Sequence, residues 1–273
     1  MSVRIVTDST AGLPRNIIDE LGITVVDLHV MEADAKGKTT SGVTALELAA
    51  EYGRQLERSS IDSNTGGDDG VLALHLSREL SSTWSAAVSA SGVFPGTVRV
   101  IDSGTVGMNL GAAAMAAARL ALDGADLDEC YDTAKDTLER ALTWVYLDHT
   151  DAIRKSGRMS SPSDMLSTAL LATKPIMRVA GGKLELVGKT RTQTKAFTKL
   201  VEFIAERCDG QPVFVALQHC GAEADAVRLQ KLLKGALPPG SSFMMVEMVD
   251  VLAVHAGTGA IGVSVVFSSL DES

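Results

Sequence analysis

The stretch from Val71 to Ala87, VLALHLSRELSSTWSAA, constrains the fold most, because its hydrophobic period and its polarity change at the same point. Val71 to Leu76 reads as a buried strand. At Ser77 the apolar run stops, Ser81, Ser82 and Thr83 bring in hydroxyls, and Trp84, Ala87 and Val88 then recur at helical spacing. This is a strand, a polar turn and a helix start. In an open α/β sheet, ligands bind in the crevice beyond the carboxyl ends of the strands, and the free amides of a helix start favour an anion there. The hydroxyls can hold a ligand or cap the helix; taken alone, the stretch favours the cap.

The same grammar recurs through the first half. Val3 to Thr7 is a β-branched strand running into Asp8-Ser9-Thr10, with Pro14 placed to open a helix carrying Ile17, Ile18 and Leu21. Ile23 to Val30 predicts a second strand, the following EADAKGKTTSG a polar turn, and Ala45, Leu48, Ala49, Tyr52 and Leu56 one apolar helix face. Ser59 to Gly70, SSIDSNTGGDDG, has the composition of a surface loop. A strand at Val98 to Asp102, an alanine-rich helix from Met108 and a helix from Asp126 to Ala141 follow. Repeated strand-turn-helix units predict an α/β fold with a parallel sheet and helices on both faces.

Beyond Thr143 the pattern changes. Thr143 to Leu147 reads as a strand and Asp148 to Lys155 as a short helix broken at Gly157-Arg158. Ser163 to Ala172 reads as a helix, and Ile176 to Val179 with Lys183 to Lys189 as a hairpin. Helices are expected at Thr192 to Arg207 and Glu223 to Lys234, and strands at Val213 to His219, Ser242 to Met248, Val251 to Val254 and Ala260 to Phe267. Strands joined by short turns imply a mixed sheet in a smaller α/β domain. The expected division is residues 1–143 and 144–273.

Composition narrows the function. The chain has 273 residues, long enough for two domains or one large one, and 45% of them are hydrophobic, ample for a core. A formal charge of -9 argues against a nucleic acid or an anionic membrane as partner. Cys130, Cys208 and Cys220 are odd in number and widely spaced, which spells neither a disulfide frame nor a zinc knuckle and fits the reducing cytoplasm. VRIVT begins a strand with no export signal ahead of it, and the most apolar helix, Met108 to Leu122, is interrupted by Arg119 and too short for stable membrane insertion.

Gly257-Thr258-Gly259-Ala260-Ile261-Gly262 matches the dinucleotide fingerprint by letter, but that motif needs a helix after it and an acidic residue further on. A glycine turn between two strands explains it better. Gly37-Lys38-Thr39 and Gly188-Lys189-Thr190 resemble the end of a phosphate loop, yet Glu32 and Lys183 stand where its first glycine belongs. With no GxSxG or HExxH motif, and with His149 and His219 read as structural, the sequence offers no catalytic residue, metal site or cofactor site. What remains is a group of anion-friendly fragments: Thr39-Thr40-Ser41, Ser81-Ser82-Thr83, Lys155-Ser156-Gly157-Arg158, and His255 before a glycine. Each has an ordinary structural explanation. Brought together, they would bind a carboxylate or a phosphate.

Taken in order, the fragments resemble the DegV family of bacterial lipid-binding proteins. The resemblance rests on IVTDSTAGLP at Ile5 to Pro14, HLSRELSSTWSAA at His75 to Ala87 and VIDSGTVG at Val100 to Gly107. It continues through RKSGRMS at Arg154 to Ser160, KPIM at Lys174 to Met177, GKTRTQTKA at Gly188 to Ala196 and HAGTGAIGV at His255 to Val263. It implies an N-terminal three-layer α/β/α domain with a mainly parallel sheet, a C-terminal two-layer α/β domain with a mixed sheet, and a long-chain fatty acid between them. It further implies a lipid-binding subunit without catalytic machinery of its own, which offers the carboxylate to a separate ATP-binding fatty acid kinase subunit. By position, the carboxylate-binding residues would be Thr40, Ser41, Ser81, Arg158 and His255. Met159, Met165, Leu166, Leu170, Ile176 and Met177 follow Arg158 closely and are the candidates for lining the tail, since methionine adapts to flexible chains. The chain departs from the family where Ser41-Gly42-Val43-Thr44 replaces serine-glutamine-proline-serine, where Arg78-Glu79 and Ser82 replace serine-glycine and glycine, and where Thr258 replaces proline. The competing reading is a stand-alone phosphotransferase or hydrolase acting on a small acidic substrate.

Overall fold

The computed structural model describes residues 3–33, 37–62, 70–159 and 173–268. Four parallel strands form the first sheet in the order β2-β1-β5-β6: β1 (Val3–Asp8), β2 (Thr24–Val26), β5 (Gly70–His75) and β6 (Val98–Asp102). The central pair is buried on both faces, which is why β5 reads as a continuous apolar run. α1 (Arg15–Leu21) joins β1 to β2. α2 (Ala45–Asp62) packs with α3 (Thr83–Ser91), and α4 (Met108–Leu122) with α5 (Leu127–Glu139), each pair lying against strands of this sheet. Asp126 caps α5 in a reciprocal capping box with Glu129.

The second sheet is mixed, with six strands in the order β11-β10-β12-β7-β8-β9. These are β7 (Ala141–Tyr146), β8 (Lys174–Ala180), β9 (Lys183–Thr190), β10 (Phe214–His219), β11 (Ser242–Glu247) and β12 (Ile261–Val266). Only β10 and β11 run parallel. The point between residues 143 and 144 falls inside β7, which pairs with β12 along its whole length from Ala141. α7 (Gln193–Ala205) and α8 (Glu223–Ala236) cover one face of this sheet through a core that includes Trp144, Phe197 and Leu229. α4 meets the other face as well as the first sheet. A helix buried from both sides needs apolar residues all round, and small ones let the sheets close on it; hence its run of alanines.

Four expectations about the elements need correction. Ile23 to Val30 is not one strand, because β2 ends at Val26 and β3 (His29–Ala33) leaves the sheet. Between them the Leu28 amide donates to Ser9 Oγ at 3.0 Å, turning the chain. β3 pairs antiparallel with β4 (Gly37–Ser41), so Lys38 to Ser41, read as a turn, are a strand whose polar side chains suit a two-stranded ribbon. The proposed loop from Ser59 begins too early: α2 continues to Asp62, and residues 63–69 lie outside the described residues.

Val251 to Val254 is helical, within α9 (Asp250–Ala256), so the glycine turn after it joins a helix to a strand. A four-residue apolar run is too short for periodicity to tell a strand from one helical turn. α9 nestles between the β3–β4 ribbon and α6 (Asp151–Ser156). The helix expected at Ser163 to Ala172 lies outside the described residues.

Candidate functional site

The site begins where β1 and β5 end. Asp8 is fully buried and accepts from four donors: the Thr10 amide at 3.1 Å, the Thr10 hydroxyl at 2.5 Å, His75 Nδ1 at 3.1 Å and the Leu76 amide at 2.9 Å. Because a carboxylate bonded in this way only accepts, His75 carries its proton on Nδ1, and its Nε2 accepts from the Tyr52 hydroxyl at 3.0 Å. Burial, reinforced by the charge of Asp8, raises the pKa of Tyr52 far above the ordinary phenol value. The buried chain Asp8–His75–Tyr52 thereby ties β1, β5 and α2 together and aims Thr10 and Leu76 at one cavity.

The polar turn after β5 supplies the next wall. Ser81 Oγ accepts from the Thr83 amide at 3.2 Å and lies 3.0 Å from Thr83 Oγ1, while Ser82, at the N-cap, makes no side-chain capping bond. Capping and cavity lining thus coincide in Ser81. The end of β4 crosses this helix start at Gly42. A Cβ there would stand 2.8 Å from Thr83 Oγ1, 3.1 Å from Ser82 Oγ and 3.2 Å from Ser81 Oγ, so only glycine lets the two segments approach. The ribbon register then sets Thr40 opposite Val30 and Ser41 opposite His29.

The remaining polar groups come from the second half. α6 ends at Gly157, and Arg158 follows with its guanidinium donating to the carbonyl of Ser156 and its amide to Ser156 Oγ at 3.2 Å. His255, in the last turn of α9, has Nε2 2.8 Å from Thr40 Oγ1. Burial first, and then the neighbouring positive charge of Arg158, lower the pKa of His255 to about 4. It is neutral at pH 7. The turn behind it is fixed by Gly259, at φ +85°, where a Cβ would lie 2.7 Å from that of Asp148. Asp148 is bound in turn by Lys174 Nζ at 2.6 Å.

These elements enclose a cavity of about 380 Å³. Thr40, Ser41, Ser81, Arg158 and His255 all line it, although they come from four separate parts of the chain. Thr10, Gly42 and Ser82 join them, with Leu28, Val251 and Leu252 among the apolar walls. Among the described residues, those bordering the cavity include one cation, Arg158, and no carboxylate. A smaller chamber of about 80 Å³ adjoins it, sharing Val106, Ile153, Leu184, Leu252 and His255.

Of the six tail candidates, Met177 borders the smaller chamber. Met159 packs beside that wall, against the cluster of Leu147, Ile153, Met177 and Leu184, without bordering either cavity. Ile176 is a misassignment: it faces the opposite side of β8 and belongs to the core beneath α7 and α8. Adjacent strand residues point to opposite faces, so Ile176 and Met177 cannot share a role. Met165, Leu166 and Leu170 lie outside the described residues. Among the described residues, no group of three or more metal-ligating side chains is placed to hold a metal ion, and no helix is long and apolar enough to cross a membrane.

A family model described as an uncharacterised protein of the DegV family matches residues 2–268. A DegV domain-containing protein of Corynebacterium glutamicum is 56% identical over 270 residues, spanning 98% of this chain and 95% of its own length. The crystal structure of a DegV family protein from that organism superposes with a TM-score of 0.92 at 56% identity, covering 99% of each chain. A structure described as fatty acid binding of a DegV family protein from Thermus thermophilus superposes with a TM-score of 0.87 at 25% identity, over 98% of this chain and 100% of that one. With the match running from one end of the fold to the other, the chain belongs to the DegV family.

Proposed function

We propose that this protein binds a long-chain fatty acid between residues 1–143 and 144–273 and presents its carboxylate, in the cytoplasm, to a separate ATP-dependent fatty acid kinase subunit. The observation that carries the reading is the cavity's polarity: among the described residues that line it, one guanidinium and a cluster of hydroxyls at one end, apolar walls beyond, and no carboxylate. A half-buried cation among hydroxyls favours an anionic ligand, and the apolar extension favours a long hydrocarbon attached to it. Thr40, Ser41, Ser81, Arg158 and His255 would hold the carboxylate, and Met177 would touch the tail. Fatty acid binding by the Thermus thermophilus relative supports the same reading.

Presentation is supported by a gradient of exposure. The five head-group residues are only partly buried, whereas Leu147, Met177, Gln218 and Gly262 around the smaller chamber are buried. The carboxylate would therefore be the end of the ligand nearer to solvent, within reach of a second protein that carries the nucleotide. The protein then acts as a carrier, and the chemistry of phosphoryl transfer belongs to its partner. Mass spectrometry of an organic extract from the purified protein, followed by incubation with ATP and a bacterial fatty acid kinase subunit, tests both parts. A stoichiometric fatty acid and a kinase-dependent acyl phosphate are expected. A protein that neither carries nor takes up fatty acid would refute the reading.

A further inference from the structure

The smaller chamber lies against the second sheet, where polar residues are turned so that they show it mostly carbon. Thr143 Oγ1 accepts from Asn109 Nδ2 at 2.8 Å and lies 3.0 Å from Thr105 Oγ1, and Gln218 Oε1 accepts from the Met108 amide at 3.0 Å. Along β12 the side chains of Ile261, Val263 and Val265 enter the core beneath α7 and α8. Position 262 faces the other way, toward the chamber, and is a glycine.

The fold gives no reason for glycine at that position. Gly262 is not among the glycines with positive φ, and among the described residues a Cβ there would meet nothing closer than 3.8 Å, its neighbours being Gln218 and the Met248 methyl. Strand interiors disfavour glycine, so a side chain would suit β12 better. What the missing side chain provides is room. Resting on the fatty acid reading above, we propose that Gly262, with Met248 beside it, sets the length of acyl chain that this protein accepts, by defining the chamber in which the methyl end of the tail comes to rest. On the scale of an apolar cavity of about 150 Å³ that holds benzene, a chamber of about 80 Å³ accommodates about three carbons. A methyl group added at position 262 takes the place of about one of them. Each methylene kept out of an apolar site weakens binding about fourfold.

The test uses the full chain, stripped of lipid, as wild type, Gly262→Ala and Met248→Ala, each titrated with saturated fatty acids of twelve to twenty carbons after thermal melting has verified folding. Gly262→Ala should bind the shorter acids as the wild type does and lose about fourfold per displaced methylene on the longer ones. Met248→Ala, which enlarges the same chamber, should shift preference toward longer acids. Folded variants that keep the wild-type order of lengths, or that weaken every length equally, would overturn the assignment; if Gly262→Ala does not fold, Met248→Ala decides alone. A wild type that binds none of the acids would instead overturn the fatty acid reading itself.

Discussion

His255 takes its chemistry from its surroundings. Its pKa falls from an ordinary 6.5 to about 4, because burial penalises the imidazolium and Arg158 repels it. A depressed pKa means that below about 6.5 the unfolded chain takes up a proton that the folded chain resists. This contribution to stability is complete above about pH 6.5 and is lost as the pH falls toward 4. Urea denaturation across that window should show a steeper loss for the ligand-free wild type than for His255→Asn. Superimposable pH profiles would mean that His255 is not the group responsible. Legibility at this scale followed chemistry. Thr40, Ser41, Ser81, Arg158 and His255 stood out as anion-friendly types beside turns, and the structure brings them to one cavity. Thr10 and Gly42 went unassigned, because the first is aimed by Asp8 and the second is required by hydroxyls about forty positions away. No local pattern encodes such a distant partner.

Elements were legible wherever burial was uniform or periodicity ran long. β5, the alanine-rich α4 and the amphipathic α7 each carry a pattern that a competing structure would not satisfy. The ribbon β3–β4 and the helix α9 did not, since each is short and takes its conformation from what it packs against. Those two elements carry Thr40, Ser41 and His255, so the least legible part of the fold surrounds the proposed head-group site. Behind that site lies the buried chain Asp8–His75–Tyr52. Tyr52→Phe removes the donor to His75 Nε2 and leaves a buried acceptor without its bond, at a cost of about 1 to 3 kcal/mol. Chemical denaturation should show that loss with an unchanged dependence on denaturant. Fatty acid affinity should change little, because Tyr52 does not border the cavity. A variant as stable as the wild type would show that the Tyr52 bond adds nothing to the junction of α2 with β1 and β5.

At the scale of the whole molecule, the head and the tail of the proposed fatty acid would contribute unequally to affinity, and the inequality can be measured. Each buried methylene contributes about 0.8 kcal/mol, so a dozen give roughly 10 kcal/mol before the costs of ordering. A hydrogen bond to a charged group adds only about 1.5 to 3 kcal/mol net. The tail should dominate affinity. Phosphoryl transfer weighs the same contacts differently, because one carboxylate oxygen must lie in line with the incoming phosphate, and an error of about 1 Å can cost about a hundredfold. Arg158 and His255 border the larger cavity from the second half of the chain, while Thr40, Ser41 and Ser81 border it from the first. Removing either of the former should let the carboxylate swing while the tail stays seated. Arg158→Ala or His255→Ala is therefore expected to weaken fatty acid binding by no more than about 3 kcal/mol, and nearly to abolish acyl phosphate formation with the kinase subunit. Binding and transfer would be measured on each variant, with fatty acid saturating in the transfer assay. If transfer at saturation matches the wild type, Arg158 and His255 only retain the ligand, and presentation of the carboxylate must be assigned to other residues.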